Sequence, residues 1–336
     1  MVNNTKHTWR FKNPVYLHAA ATVTGPKEKQ GPLGKMFDKS YSDMYCDEET
    51  FEKAERRLLS DSIQIVCKKN NTSINNIDLL LAGDLTPQLA SSHYTAYKLP
   101  VSFLGMYSAC ATLTSIIATA SALISGSFIS NAITAVSSHK RTADKYFRNP
   151  TQLGQQIPDT ATYTVTGAGA AFLSNKPSLI TVTAATIGKV INTEMNDPFN
   201  MGEAMAIAAS STISQHLHDM KETVKDYDLI ITGDLSTYGN KLVQILLNKE
   251  GIDLGSSYND CGLMIFEPNQ DVFAGGSGAA CCALVTFTYV IHELLQKRLK
   301  RVLLVATGAL HSPSMLEQGD FIPVIAHGVV LEANEG

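Results

Sequence analysis

A nine-residue string occurs twice. IDLLLAGDL at residues 77–85 returns as YDLIITGDL at residues 227–235, with Asp, Leu, Gly, Asp and Leu matched at a fixed offset. Each copy runs through aliphatic residues typical of a strand buried on both faces, then stops at Gly-Asp, where a loop must leave the end of a sheet. Three further elements follow each copy in the same order. VSFLGMYSAC leading into ATLTSIIATASALISG (101–126) is answered by VFAGGSGAAC leading into CALVTFTYVIHELLQK (272–297), AITAVSSH (132–139) by RVLLVATGALH (301–311), and TVTGAGAAFLSN (164–175) by IPVIAHGVVLEAN (322–334). The pattern requires a duplicated α/β architecture with two pseudo-symmetric halves, residues 1–177 and 178–336, meeting near the Lys176-Pro177-Ser178 turn and sharing one cooperative core.

Strands alternate with helical segments such as 51–69 and 202–220, which predicts right-handed βαβ units and largely parallel sheets. Two sheets enclosing the central helices then give a layered α-β-α-β-α sandwich. Residues 99–138 contain no Asp, Glu, Lys or Arg, yet Gly105, Gly126 and many Ser and Thr residues make a buried central helix and strand a better reading than a membrane span. The first residues lack an apolar run of signal-peptide length, so synthesis in the cytoplasm is expected. A net charge of -4 supplies no basic field for a phosphate backbone and argues against a nucleic-acid partner. The six cysteines have no CxxC spacing, which fits neither a metal knuckle nor a disulfide framework.

Cys110 sits where the Gly105 loop meets an uncharged helix, a place where unpaired backbone N–H groups and the helix dipole favour a thiolate. It is the best nucleophile candidate, and a small buried residue in a tight junction is the equally weighted alternative. Ser138 and His139 end one strand and His311 ends its counterpart, so symmetry could bring both imidazoles to a central site. His93 and His327 lie near turns, where a structural role is preferred. Asp84 and Asp234, matched by the repeat, are expected first of all to brace their loops by accepting backbone N–H bonds. Glycine-rich GGSG at 275–278, with Gly276 at its centre, offers backbone donors for a carboxylate. Arg148, beside the Asn149-Pro150 turn, is the best cation candidate, with Lys140, Arg141 and Lys145 read as a solvated run.

A duplicated βαβ arrangement with a cysteine at the start of the first central helix resembles the thiolase and ketoacyl-synthase superfamily over nearly the whole chain. Within it, the strings GPKEKQGPLGKMFDKSY, TATYTVTGAGA, ITGDLS, YNDCGLMIF, FAGGSG and VLLVATGALHSP are similar to a family of stage V sporulation proteins of spore-forming bacteria. That resemblance implies a thiolase-type fold and a ligand, dipicolinic acid (pyridine-2,6-dicarboxylate), free or as its calcium chelate, moved into or out of spores during sporulation and germination. It further implies other stage V membrane proteins as partners, a peripheral place at the spore inner membrane, and a homodimer joined through a sheet edge.

The superfamily's nucleophile carries over onto Cys110. Its other catalytic groups do not: synthases of type III have a histidine where this chain has Gly233-Asp234, and Gly-Asn where it has Gly275-Gly276. The reading that follows is a noncatalytic binder that is no enzyme and holds no cofactor or metal, with Cys110, Ser138, His139, Arg148, Gly276 and His311 around the ligand. The alternatives are an acyl-transfer or condensing enzyme using Cys110, with His139 or His311 as base, and a purely architectural subunit.

Overall fold

The computed structural model describes residues 5–147 and 157–334. Its first half contains β1 (Thr8–Thr24), α1 (Phe51–Lys69), β2 (Leu79–Gly83), β3 (Phe103–Gly105), α2 (Thr112–Ser125), β4 (Asn131–Ser138), α3 (Lys140–Phe147) and β5 (Gly167–Ser174). The second contains β6 (Ile180–Ile187), α4 (Met201–Met220), β7 (Leu229–Thr232), α5 (Ser236–Lys249), β8 (Tyr258–Asp260), α6 (Ala279–Val285), β9 (Arg301–Ala309) and β10 (Pro323–Ala333), besides shorter elements.

These strands form one ladder in the order β8-β7-β9-β10-β6-β1-β5-β4-β2-β3. Read outward from the β1–β6 seam, the two halves show the same sequence of pairings. The duplicated strings are β2 and β7, each wholly buried and flanked by parallel neighbours. The expectation of largely parallel sheets is corrected at the centre, where β1, β5 and β4 pair antiparallel, as do β6, β10 and β9 and the seam itself. β9 and β10 show the reason. Residues 310–322 between them carry only a five-residue helix, Pro313–Glu317, which cannot serve as a crossover that returns a strand parallel.

Helices α2 and α6 touch each other, and α2 packs against strands of both halves. Outside, α1 covers β5, β1 and β4, and α4 covers β10 and β9, which completes five layers. In α1, Thr50 caps the first turn by accepting the Lys53 N–H, and Ala54, Leu58, Leu59, Ile63 and Val66 form the buried stripe. All seven residues of α6 are buried, which accounts for its lack of charge. Among the described residues no helix is long and apolar enough to cross a membrane.

The first of the two Gly-Asp turns has a steric cause. A Cβ on Gly83 would lie 2.1 Å from the Met106 carbonyl oxygen, so only glycine lets β2 end against the loop that leads to Cys110.

Candidate functional site

Cys110 is presented by a cross-braced turn ahead of α2. Ala109 adopts a left-handed conformation (φ 48°), unusual for a residue with a side chain. Thr112 holds the turn from both sides: its hydroxyl accepts the Ser108 N–H at 3.0 Å and donates to the Ala109 carbonyl at 2.6 Å. Gly308 of β9 lies against this turn, where a Cβ would come within 2.4 Å of the Ser108 carbonyl. The second half therefore presses directly on the Cys110 loop of the first.

Opposite Cys110 stands Asp234. Thr307 donates its hydroxyl to Oδ1 at 2.6 Å, and the Gly278 N–H donates to Oδ2 at 2.9 Å. The Cys110 thiol lines the same cleft as this carboxylate. Burial raises Asp234 to about 6, against the pull of Thr307, Gly278 and Cys110. Burial and then the Asp234 charge hold the Cys110 thiol well above its ordinary value, against the Gly278 N–H. The thiolate expected from the helix dipole is thereby corrected: α2 starts two residues beyond Cys110, and burial first, then the Asp234 charge, favours the protonated thiol.

Asp84 behaves as expected, accepting the Ser92 N–H and hydroxyl at 2.7 and 2.6 Å and both donors of Thr86. Asp234 likewise accepts a backbone N–H, but from Gly278 ahead of α6 rather than from its own turn. In the second half the bracing role belongs to Asp260, which accepts the Leu235 and Ser236 N–H groups at 2.9 and 2.8 Å and the Thr232 hydroxyl at 2.7 Å. That leaves Asp234 to face the cleft.

The cleft encloses about 540 Å³ including its mouth. Its apolar walls are Leu85, Tyr107, Phe147, Met201 and Met205, and its polar lining comes from Thr162, Thr164, Ser277, Asp234 and His311. Of the sequence candidates, Cys110 and His311 meet here. His139 does not, because its Nε2 bonds the Met44 carbonyl at 2.8 Å and its Nδ1 accepts the Arg141 N–H at 3.1 Å. Both ring nitrogens are spent on backbone, and burial lowers its pKa to about 4. Ser138 lies beneath the cleft, donating to the Val165 carbonyl at 2.7 Å and accepting the Ala280 N–H at 3.2 Å. Gly276 is packed against Ile265, and its carbonyl accepts the Ser236 hydroxyl at 2.9 Å. The glycine facing the cleft is Gly278, whose φ of 105° few other residues adopt. Arg148 lies outside the described residues. Asp234 as a partner of Cys110 was missed, although a second acidic turn at Tyr258-Asn259-Asp260 signalled that bracing was already provided.

The sequence profile described as stage V sporulation protein AD (SpoVAD) matches residues 5–332. The chain belongs to this family. It is 50% identical over 331 residues to stage V sporulation protein AD of Bacillus subtilis (strain 168), covering 98% of both chains. Among solved structures, human mitochondrial 3-ketoacyl-CoA thiolase in complex with CoA shares the fold at a TM-score of 0.60 and 12% identity, over 97% of this chain and 99% of that one. The 3-oxoacyl-[acyl-carrier-protein] synthase III of Aquifex aeolicus VF5 does so at 0.55 and 14%, over 97% and 99%. The thiolase-type fold expected for this SpoVAD family member is therefore established. The expectation that it is no enzyme is corrected: the solved structures that share its fold include a thiolase and a synthase, and Cys110 and Asp234 line one cleft.

Proposed function

We propose that this SpoVAD family member is an acyl-transfer protein of sporulation in which Cys110 is the nucleophile and Asp234 the general base. The observation that supports the reading is that Cys110 and Asp234 line one mostly apolar cleft. The Cys110 sulfur attacks the carbonyl carbon of an acyl thioester as its proton passes to the Asp234 carboxylate. A new S–C bond forms, the old one breaks, and Asp234 returns the proton to the departing thiolate. With its pKa near 6, Asp234 is ionised at neutral pH and well matched to this shuttle. Intact-mass measurement after incubation with acyl thioesters tests it: a single acyl adduct mapping to Cys110 is expected, and an unmodified Cys110 sinks the reading.

Dipicolinic acid, the ligand implied by the family, is assigned to the same cleft in a neutralised form. Tyr107, Phe147 and Met205 offer faces for a flat ring, and the hydroxyls of Thr162, Thr164 and Ser277 offer donors for carboxyl groups. The described lining residues include one carboxylate and neither Lys nor Arg, so a bare dianion is opposed and the calcium chelate or a protonated form is favoured. Among the described residues no cluster of His, Cys, Asp or Glu is assembled to hold a metal, so calcium would arrive with the ligand. Titration calorimetry is expected to show binding to the wild type and to a Cys110→Ala variant, tighter with calcium present. Heat-silent titrations for both proteins remove this ligand from the cleft.

A homodimer through the open edge of β3 completes the reading. Tyr94, Tyr97, Leu104 and Tyr107 are exposed around that edge, an apolar patch of the kind that marks an interface. Light scattering is expected to give twice the chain mass, and Leu104→Lys to return a monomer; a monomeric wild type rejects the dimer. Other stage V membrane proteins would hold this assembly at the periphery of the spore inner membrane.

A further inference from the structure

The connection between β9 and β10 is longer than the hairpin requires. Strand pairing ends at Ala309 and Val324, and the Leu310 N–H donates to the Pro323 carbonyl at 2.8 Å, closing the base of an excursion. Its short helix, Pro313–Glu317, has no fully buried residue and touches the core only through half-buried Leu316. Instead the excursion encloses a second hollow of about 680 Å³ including its open face, walled by Met315, Leu316 and Phe321 and bordered by Asn192 and Asp320. His311 lines this hollow and the Cys110 cleft alike. Its ring lies 5.6 Å from that of Phe147, at the end of α3 in the other half.

We propose that the 310–322 excursion builds an outer ligand chamber opening onto the Cys110 cleft at His311, and that His311 and Phe147 form a constriction setting how large a group reaches the sulfur. The chamber takes the larger portion of a two-part ligand whose small or flat head sits at Cys110. With Asp320 as its charged group and no Lys or Arg in its lining, it selects an uncharged, hydrogen-bonding tail over an anionic one. This assignment rests on the cleft being the ligand site, but its test requires no acyl transfer.

Alkylation of Cys110 by N-ethylmaleimide and by fluorescein maleimide, followed by peptide mass spectrometry, reads the constriction directly. In the wild type the small reagent is expected to react at least about tenfold faster than the large one. His311→Ala should bring the two rates to within about threefold, while Met315→Trp, at an exposed position of the outer chamber, should slow only the large reagent by about tenfold. The second substitution is on the surface, so it reports even where the first perturbs folding. An unchanged size preference in both variants overturns the proposal, as does a Cys110 that neither reagent modifies in any of the three proteins. Acylation of Cys110 without any size effect would leave the chemistry standing and remove the outer chamber alone.

Discussion

Asp234→Asn lowers the rate of Cys110 acylation by about 10²- to 10⁴-fold, the range attached to losing a positioned general base. An amide keeps the shape of the side chain and can still accept one of the bonds from Thr307 and Gly278, so the loss falls on proton transfer. The pH profile separates this from a structural effect. Asp234 must be ionised to accept the thiol proton, and its carboxyl is raised to about 6. The wild-type rate therefore climbs with pH through an inflection near 6, and the Asp234→Asn variant lacks that inflection. Acylation within about threefold of the wild type would move the proton to another acceptor, with His311 the remaining cleft imidazole.

The second large effect is on stability. Ile116 of α2 is completely buried, in one core cluster with Leu81 and Val136 of the first half and Leu304 and Val329 of the second. Ile116→Ala removes three methyl or methylene groups from this shared layer and is expected to cost about 2–5 kcal/mol. For a chain of this size that corresponds to a melting point lower by about 3–7 °C. We propose that the halves 1–177 and 178–336 unfold together, because α2 belongs to both cores. Calorimetry should show one endotherm that moves as a whole. A split endotherm, with only one component shifted, would show two separable units.

The repeat made the fold legible because a strand buried on both faces and a glycine forced by a close neighbour leave little freedom in sequence. The pairing sense was hidden, since periodicity describes a strand's faces and says nothing of its neighbours' direction. The imidazoles illustrate a finer limit. His139 and His311 look equivalent in sequence because each closes a strand-like run. Register shows otherwise: Leu80 pairs with Ile133 and Ile230 with Leu303, which places His139 opposite Ala309 and leaves His311 two residues further on. That shift carries one ring into backbone bonds and the other into the cleft. Asp84 and Asp234 diverge for a similar reason. Their backbones are equivalent, but Thr86 and Ser92 claim the first, whereas Thr307 and Gly278 steer the second toward sulfur.

The seam between β1 and β6 also orders events on the ribosome. The five ladder strands of the first half lie within residues 8–174, so that half can assemble while the rest of the chain is still being made. Until β6 emerges, β1 presents a bare edge of unpaired N–H and C=O groups. The apolar side of α2 that meets β9 and β10 waits longer, because those are the last two strands and β10 closes at Ala333. At ordinary translation rates the interval is roughly 10–30 s, far longer than collapse or hairpin formation takes. The nascent protein thus spends its most adhesive period with a finished first half and no second, when trigger-type holdases that shield a strand edge would have most to do.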